Sequence, residues 1–401
     1  MSNYLHLVRW FFHPTAGVRS ELPTTGVASL SERRRRRRAL FFPATAAAET
    51  SATRRFPPIA PPASAPSGRA RTTDAPLISA GRRSACGASS GAVYMEKARL
   101  RAFQREQATA KTCMVSSFAT DFLEIRAKEP SVHVLVIPGN PGIVAFYKDF
   151  VEELYENLGG QASITAIGHI SHSKKDAERG RLFSLHEQID HKVDFIEQEF
   201  QHSEQSLVLV GHSIGAYICL EIFKRLQKKV KLCVGLYPFL TLNKKSMKQS
   251  AIGYIARSSL LSKGVSSFVS FIGSLQASVT RGIMRRLLGP SWSVTAVEAT
   301  CGHLLWYHTM RNVLFMAMTE FTKLSEEPDW NFISAKQDQI AFLFDVDDHW
   351  GPLAHLEEIS KRAPGVALSV ETEGHTHGYC CTEAGSFWAA DYVANLIKTK
   401  F

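Results

Sequence analysis

Residues 206–226 read Ser206-Leu207-Val208-Leu209-Val210-Gly211-His212-Ser213-Ile214-Gly215-Ala216-Tyr217-Ile218-Cys219-Leu220-Glu221-Ile222-Phe223-Lys224-Arg225-Leu226. An apolar run, Leu207 to Val210, gives way to Gly211-His212-Ser213-Ile214-Gly215. After it Ile218, Ile222, Phe223 and Leu226 recur at spacings of three and four, as one helix face should. Strand, tight turn and helix, with a serine at the centre of Gly-x-Ser-x-Gly, describe a nucleophile elbow. The sharp turn lifts the serine Oγ clear of the sheet, and glycines at 211 and 215 let strand and helix approach without colliding side chains. The N–H of Ile214 then stands at a helix N-terminus beside Oγ, where an oxyanion would be stabilised. The five-residue motif alone is a weak signal, shared with any small-residue turn before a buried helix. The strand before it and the helix after it carry the reading.

The chain has 401 residues, 45% of them hydrophobic, enough for one large domain with an extension or for two ordinary domains. Its formal charge of +10 is unevenly placed. Residues 1–90 hold fourteen arginines, no lysine and four acidic residues, an excess that equals the whole net charge. The remainder is neutral, so charge gives no reason to expect nucleic acid as a partner. Seven cysteines, odd in number and without a C-x-x-C pair, read as buried thiols in a reducing compartment. The charge-free stretch Gly264 to Thr280 carries five serines and is short for a membrane span.

Residues 1–94 are rich in Arg, Ala, Ser and Pro, with six consecutive arginines at 33–38. Such a segment buries too little apolar surface to offset its ordering entropy and is expected to be disordered. It reads as a transit peptide, which would direct the chain to a plastid, as a regulatory tail, or as an over-extended gene model with translation starting at Met95. The last is the preferred expectation. Residues 95–400 then form the folded domain. An edge hairpin is expected over 115–130, and strands over Ser131–Ile137, Ala162–Ile167, Lys231–Leu236, Gln339–Phe344 and Val366–Val370. Helices are expected over Phe146–Leu158, Leu185–Phe200 and Ser386–Ile397. Between about 240 and 337 the period is helical, with an apolar stripe of Leu261, Val265, Phe268, Val269, Ile272 and Leu275, a segment beginning at Arg285, and another over Val313–Phe321. This insertion reads as a helical cap. Its stripe is expected to be lid packing, with a lipid-facing surface as the alternative. The alternation of strand and helix describes a mostly parallel, doubly wound α/β sheet.

The order serine, acid, histidine along such a sheet is that of an α/β-hydrolase. Ser213 is the candidate nucleophile. Asp348 is chosen as the acid from a loop that also holds Asp345 and Asp347, which would cap turns. His375 is chosen as the base, with His377 as the alternative. The turn Pro138-Gly139-Asn140-Pro141-Gly142 follows an early strand, where this architecture completes its oxyanion hole. The N–H of Asn140 is the candidate donor together with Ile214, because Pro141 has none. The pairs His375-x-His377 and His169-x-x-His172 have zinc-like spacing, but no H-E-x-x-H and no cysteine cluster accompany them. No metal or cofactor is expected.

Val136-Ile137-Pro138-Gly139-Asn140-Pro141-Gly142 with Ala145-Phe146-Tyr147, then Gln188-Ile189-x-His191-Lys192 with Phe195, then the elbow, together resemble the lipid droplet-associated hydrolases over about residues 130–395. On this resemblance the nucleophile maps to Ser213, the acid to Asp348 in Asp-x-Trp-x-Pro, and the base to His375. His169 and His172 match a family strand end without an assigned role. The sequence departs from the family at Asp345, where glycine is usual, at His349, which replaces a proline, and at His377, which replaces a hydrophobic residue. The resemblance implies a serine esterase or lipase acting on neutral lipid esters, sterol esters or triacylglycerols, at the surface of the lipid droplet or the cytosolic side of the endoplasmic reticulum. The alternative is a lipid-droplet surface protein with an idle triad, acting in droplet growth or partner recruitment.

Overall fold

Short apolar runs rich in β-branched residues become the strands of one sheet, and the longer amphipathic stretches between them become its covering helices. The computed structural model describes residues 106–201 and 205–401, so the expectations for 1–94 lie outside the described residues. The described residues open with a hairpin of β1 (Thr109–Val115) and β2 (Phe118–Ile125). Then come β3 (Val132–Ile137), a 3-10 turn at Val144–Tyr147, α1 (Lys148–Asn157), β4 (Ala162–Ile167) and α2 (Leu185–Phe200). The elbow follows as β5 (Ser206–His212) and α3 (Ile214–Arg225), and then β6 (Val230–Leu236). The insertion holds α4 (Met247–Arg257), α5 (Ser259–Gly273), α6 (Ala277–Leu288), α7 (Val294–Ala299), α8 (Tyr307–Lys323) and α9 (Trp330–Ala335). The sheet resumes with β7 (Ile340–Asp345), α10 (Leu353–Arg362), β8 (Ala367–Glu371) and α11 (Glu383–Lys400).

The strand order is β1-β2-β4-β3-β5-β6-β7-β8. The pairs β1–β2 and β2–β4 are antiparallel and all others parallel. The central strands are buried along their whole length, which is why their sequences run apolar instead of alternating. Alternate side chains still serve different cores. Val134, Val136, Val208 and Val210 pack with Phe150, Leu154, Ala390 and Val393 of α1 and α11. Leu135, Ile137, Leu207 and Leu209 pack on the other face with Ile189, Ile196, Ile218 and Ile222 of α2 and α3. Helix α2 starts where Ser184 and Glu187 satisfy each other's backbone N–H groups in a capping box.

Two sequence-based expectations shift, and the reading of the α5 stripe as lid packing stands. The hairpin starts at Thr109, six residues before position 115. The four residues Arg285–Leu288 close α6 and do not open a segment, because its apolar face is supplied by Thr280, Met284 and Leu288. The stripe on α5 is interior packing. Val265, Val269 and Ile272 are buried, and Phe268 packs against the same core.

The parallel pairing of Ile137 with Gly211 places the Pro138–Gly142 turn directly beside the elbow. Both elbow glycines are required by contact. A Cβ on Gly211 would lie 2.3 Å from the Gly215 carbonyl oxygen, and one on Gly215 would lie 2.3 Å from the Ile137 oxygen. Those are backbone atoms of α3 and β3, both fixed by their own hydrogen bonds, and cannot give way. We therefore expect Gly215→Ala to cost about 3 kcal/mol or more of unfolding free energy. Gly282→Ala, in α6 with open space around it, should stabilise by up to about 1 kcal/mol. Urea denaturation of the two variants beside wild type checks the contrast.

Candidate active site

Ser213 occupies φ 55°, ψ −122°, a region side chains rarely adopt. The strained conformation is held on both sides. Its N–H donates to the Leu236 carbonyl at 3.0 Å, and its carbonyl accepts from Phe239 N–H at 3.1 Å and Ala216 N–H at 3.0 Å. The residue caps α3, whose first N–H groups, beginning with Ile214, have no partner within the helix.

At the ends of β7 and β8 the acid and histidine loops meet. His377 Nδ1 lies 2.7 Å from Asp348 Oδ2, and Asp348 Oδ1 accepts from Trp350 N–H at 2.8 Å. Burial pushes the Asp348 carboxyl up, but His377 and the Trp350 N–H outweigh it and hold the group below the usual carboxylate range. Asp348 is therefore an acceptor, the His377 proton sits on Nδ1, and Nε2 is left free to accept. The other aspartates do local work: Asp345 accepts from Asp347 N–H, and Asp347 is exposed. His375, chosen from the sequence as the base, does not meet the acid. Its ring lies 5.6 Å from that of Trp388. The sharp turn after β8 explains the difference: Glu371 accepts from the N–H groups of Glu373 and Gly374, and the left-handed Gly374 directs the next residues so that 377, not 375, reaches Asp348.

Ser213, His377, Gly139 and Asn140 line one cavity of about 810 Å³, counted out to its open mouth. Phe146, Phe239, Ile252, Phe321 and Trp350 make much of its wall apolar. A hydrogen-bonded chain connects the three loops around it. The His377 carbonyl accepts from His212 Nε2 at 2.8 Å, so that nitrogen carries the proton. His212 Nδ1 then accepts from Tyr147 O–H at 2.6 Å, and the Tyr147 oxygen accepts from Gly139 N–H at 2.9 Å. Sequence reasoning assigned no role to His212 or Tyr147. Their only signals were the variable position of the elbow and an aromatic after the glycine-rich turn.

The motifs around 169–192 prop the same turn from behind. Gly142 N–H donates to His172 Nδ1 at 2.9 Å, and a Cβ on Gly142 would overlap the His169 ring. Gln188 brackets Ile170 by bonds to its N–H and its carbonyl. Burial lowers His172 to about 3 and His191 to about 2, so both stay neutral. Among the described residues no group of three His, Cys, Asp or Glu could hold a metal.

Asn140 is tied to the cap. Its Nδ2 donates to the Val313 carbonyl and to Glu320 Oε1, both on α8 and both at 3.0 Å. Glu320 is wholly buried, and desolvation raises its carboxyl to about 8 against the Asn140 hydrogen bond that favours ionisation. At neutral pH it is a neutral acid inside the cavity wall. In the unfolded chain the group ionises near its ordinary value of 4.5, so between there and about 8 the folded state binds the extra proton. Stability from this group is fully present below the unfolded value and is lost as pH rises through the folded one. Glu320→Gln keeps an acceptor for Asn140 without the charge. Relative to wild type it should gain on the order of a few kcal/mol between about pH 5 and about pH 9. Urea midpoints at the two ends of that range are the measurement.

The comparisons agree with this architecture. The profile of the Lipid-droplet associated hydrolase family matches residues 130–380. The lipid droplet-associated hydrolase of Dictyostelium discoideum is 26% identical over 272 residues, covering 65% of this chain and 86% of that protein. Its counterpart in Gallus gallus is 27% identical, covering 62% of this chain and 80% of the relative. Among solved structures, a soluble variant of monoglyceride lipase from Saccharomyces cerevisiae superposes with a TM-score of 0.51 at 14% identity, covering 74% of this chain and 97% of its own. Epoxide hydrolase VrEH1 from Vigna radiata gives 0.51 at 14% identity, covering 73% and 99%. At those identities the likeness is one of fold, and the fold is that of the α/β-hydrolases.

Proposed function

The chain belongs to the lipid-droplet associated hydrolase family, and from that premise we propose that it is a serine ester hydrolase for neutral lipid esters, working at the surface of the lipid droplet or of the endoplasmic reticulum on its cytosolic side. The observation that carries the proposal is the His377–Asp348 hydrogen bond of 2.7 Å in a cavity that Ser213 also lines. Ser213 is the nucleophile. His377 Nε2 takes the serine proton during attack on the ester carbonyl and returns it to the leaving alcohol. Asp348 holds the imidazole in the tautomer with its proton on Nδ1 and stabilises the imidazolium that forms. The N–H groups of Asn140 and Ile214 receive the oxyanion. The aromatic and aliphatic wall suits an acyl chain or a sterol. This chemistry runs on the chain's own groups and needs no cofactor. Residues 95–400 form the catalytic domain, with residues 1–94 as an extension.

A fluorophosphonate probe tests the assignment, because it reacts only with an activated serine. Wild type should label. Ser213→Ala should abolish labelling and lower turnover of a soluble ester by at least about ten-thousand-fold. His377→Ala should do nearly as much, and Asp348→Asn about ten-thousand-fold. His375→Ala should stay within about twofold of wild type, as a residue outside the hydrogen-bonded set should. Labelling lost in His375→Ala but kept in His377→Ala would overturn the choice of base. No labelling of folded wild type would favour a droplet-surface protein with an idle triad.

A further inference from the structure

The helices α4, α5 and α6 expose apolar side chains that the fold does not use. Met247 is 83% exposed and Tyr254 71% on α4, and Leu260 81% and Phe271 60% on α5. On α5 the two faces are distinct. Val265, Val269 and Ile272 pack inward, whereas Leu260 and Phe271, three turns apart and so on one face, point away from the core. Large apolar groups left in water on successive helices mark an interaction surface.

Charge follows the same helices. From residue 240 to residue 297 the chain holds eight lysines and arginines and no aspartate or glutamate. Lys244, Lys245, Arg257, Lys263, Arg285 and Arg286 are exposed. None of these six forms a salt bridge among the described residues. The first acid beyond the stretch, Glu298, is taken by Arg281 at 2.7 Å. Outside residues 1–90 the chain is neutral, so this excess is a local feature of the cap and is balanced elsewhere on the domain.

We propose that the outer side of α4–α6 docks on an anionic phospholipid surface, with Leu260 and Phe271 entering the acyl region and the flanking lysines and arginines meeting the headgroups. The proposal rests on the lipid-surface part of the function proposed above and adds the face and the lipid chemistry. Protruding aliphatic and aromatic residues flanked by cations are the composition of helices that lie in a membrane interface. An acidic protein would account for the cations alone, not for the exposure of Leu260 and Phe271 on the outer face of α5. No helix among the described residues is long and apolar enough to cross a membrane, so contact is along the surface.

The test is flotation of the full chain with vesicles of phosphatidylcholine alone and with vesicles of equal parts phosphatidylcholine and phosphatidylserine. Binding should be at least about tenfold stronger to the second and should weaken with salt. The triple variant Lys263→Gln, Arg285→Gln, Arg286→Gln should lose about a hundredfold, at roughly fivefold per charge. Leu260→Ser with Phe271→Ser should also release the protein. All variants should hydrolyse a soluble short-chain ester as wild type does, which separates failure of docking from failure of catalysis. Equal binding to both vesicles would overturn the proposal. So would binding that survives both cap variants, which would place it on Arg33–Arg38. Absence of binding to either vesicle, with ester hydrolysis intact, would overturn it in favour of an acidic protein partner.

Discussion

The close approach of β5 and α3 is the constraint on which the site depends. Gly211 and Gly215 bring backbone to backbone, and Ser213 between them is forced to a positive φ of 55°. That conformation costs on the order of 1–3 kcal/mol and persists only because its surroundings over-determine it. The surroundings are the bonds to Leu236, Phe239 and Ala216 and the flanking strands, buried throughout in β3 and in all but Lys231 of β6. Strain at one residue is thus balanced by the best-packed part of the molecule. The return is a side chain raised above the sheet edge at the start of a helix.

Around that fixed point three loops have to agree in position, although they come from residues near 139, 212 and 377. The chain of bonds from Gly139 through Tyr147 and His212 to the His377 carbonyl gives them a common frame. Each donor and acceptor in it has one consistent assignment, because a carbonyl at one end and an N–H at the other determine every proton between. The frame holds the backbone of His377, while Asp348 holds its ring. Backbone and side chain of the same histidine are therefore positioned by different parts of the chain. Behind the turn at 138–142, His172 and Gln188 perform the same service with neutral, buried groups.

The cap reads as two surfaces sharing helices. Its inner side supplies Ala317, Glu320 and Phe321 to the cavity wall and ties Asn140 through α8. Its outer side is basic and partly apolar. A helix with a buried stripe has to place something on its other face, and on α5 that face holds leucine and phenylalanine where the core has no use for them.

The sequence by itself determined the class. Apolar runs too short for helices, a glycine-flanked serine between strand and helix, and an aspartate and a histidine after late strands are local patterns. Local patterns survive without knowledge of packing. It also favoured Asp348 for its place past the strand, leaving Asp345 and Asp347 open, and it is the hydrogen bond to His377 in the structure that sets Asp348 apart from them. Tertiary structure decided what depends on how a loop turns. Two histidines two residues apart share every local property, and only the Glu371 and Gly374 turn selects His377 over His375. The same holds for Glu320, an ordinary polar residue of an amphipathic helix until burial beside Asn140 raises its carboxyl. Periodicity located the apolar stripe of α5, but which face meets the protein and which meets solvent is a property of the helices packed against it. Short-range chemistry is written in neighbouring residues, whereas the direction of a side chain is set by how its loop turns and by contacts with other segments of the chain, 29 positions away for Asp348 and His377 and 180 for Asn140 and Glu320.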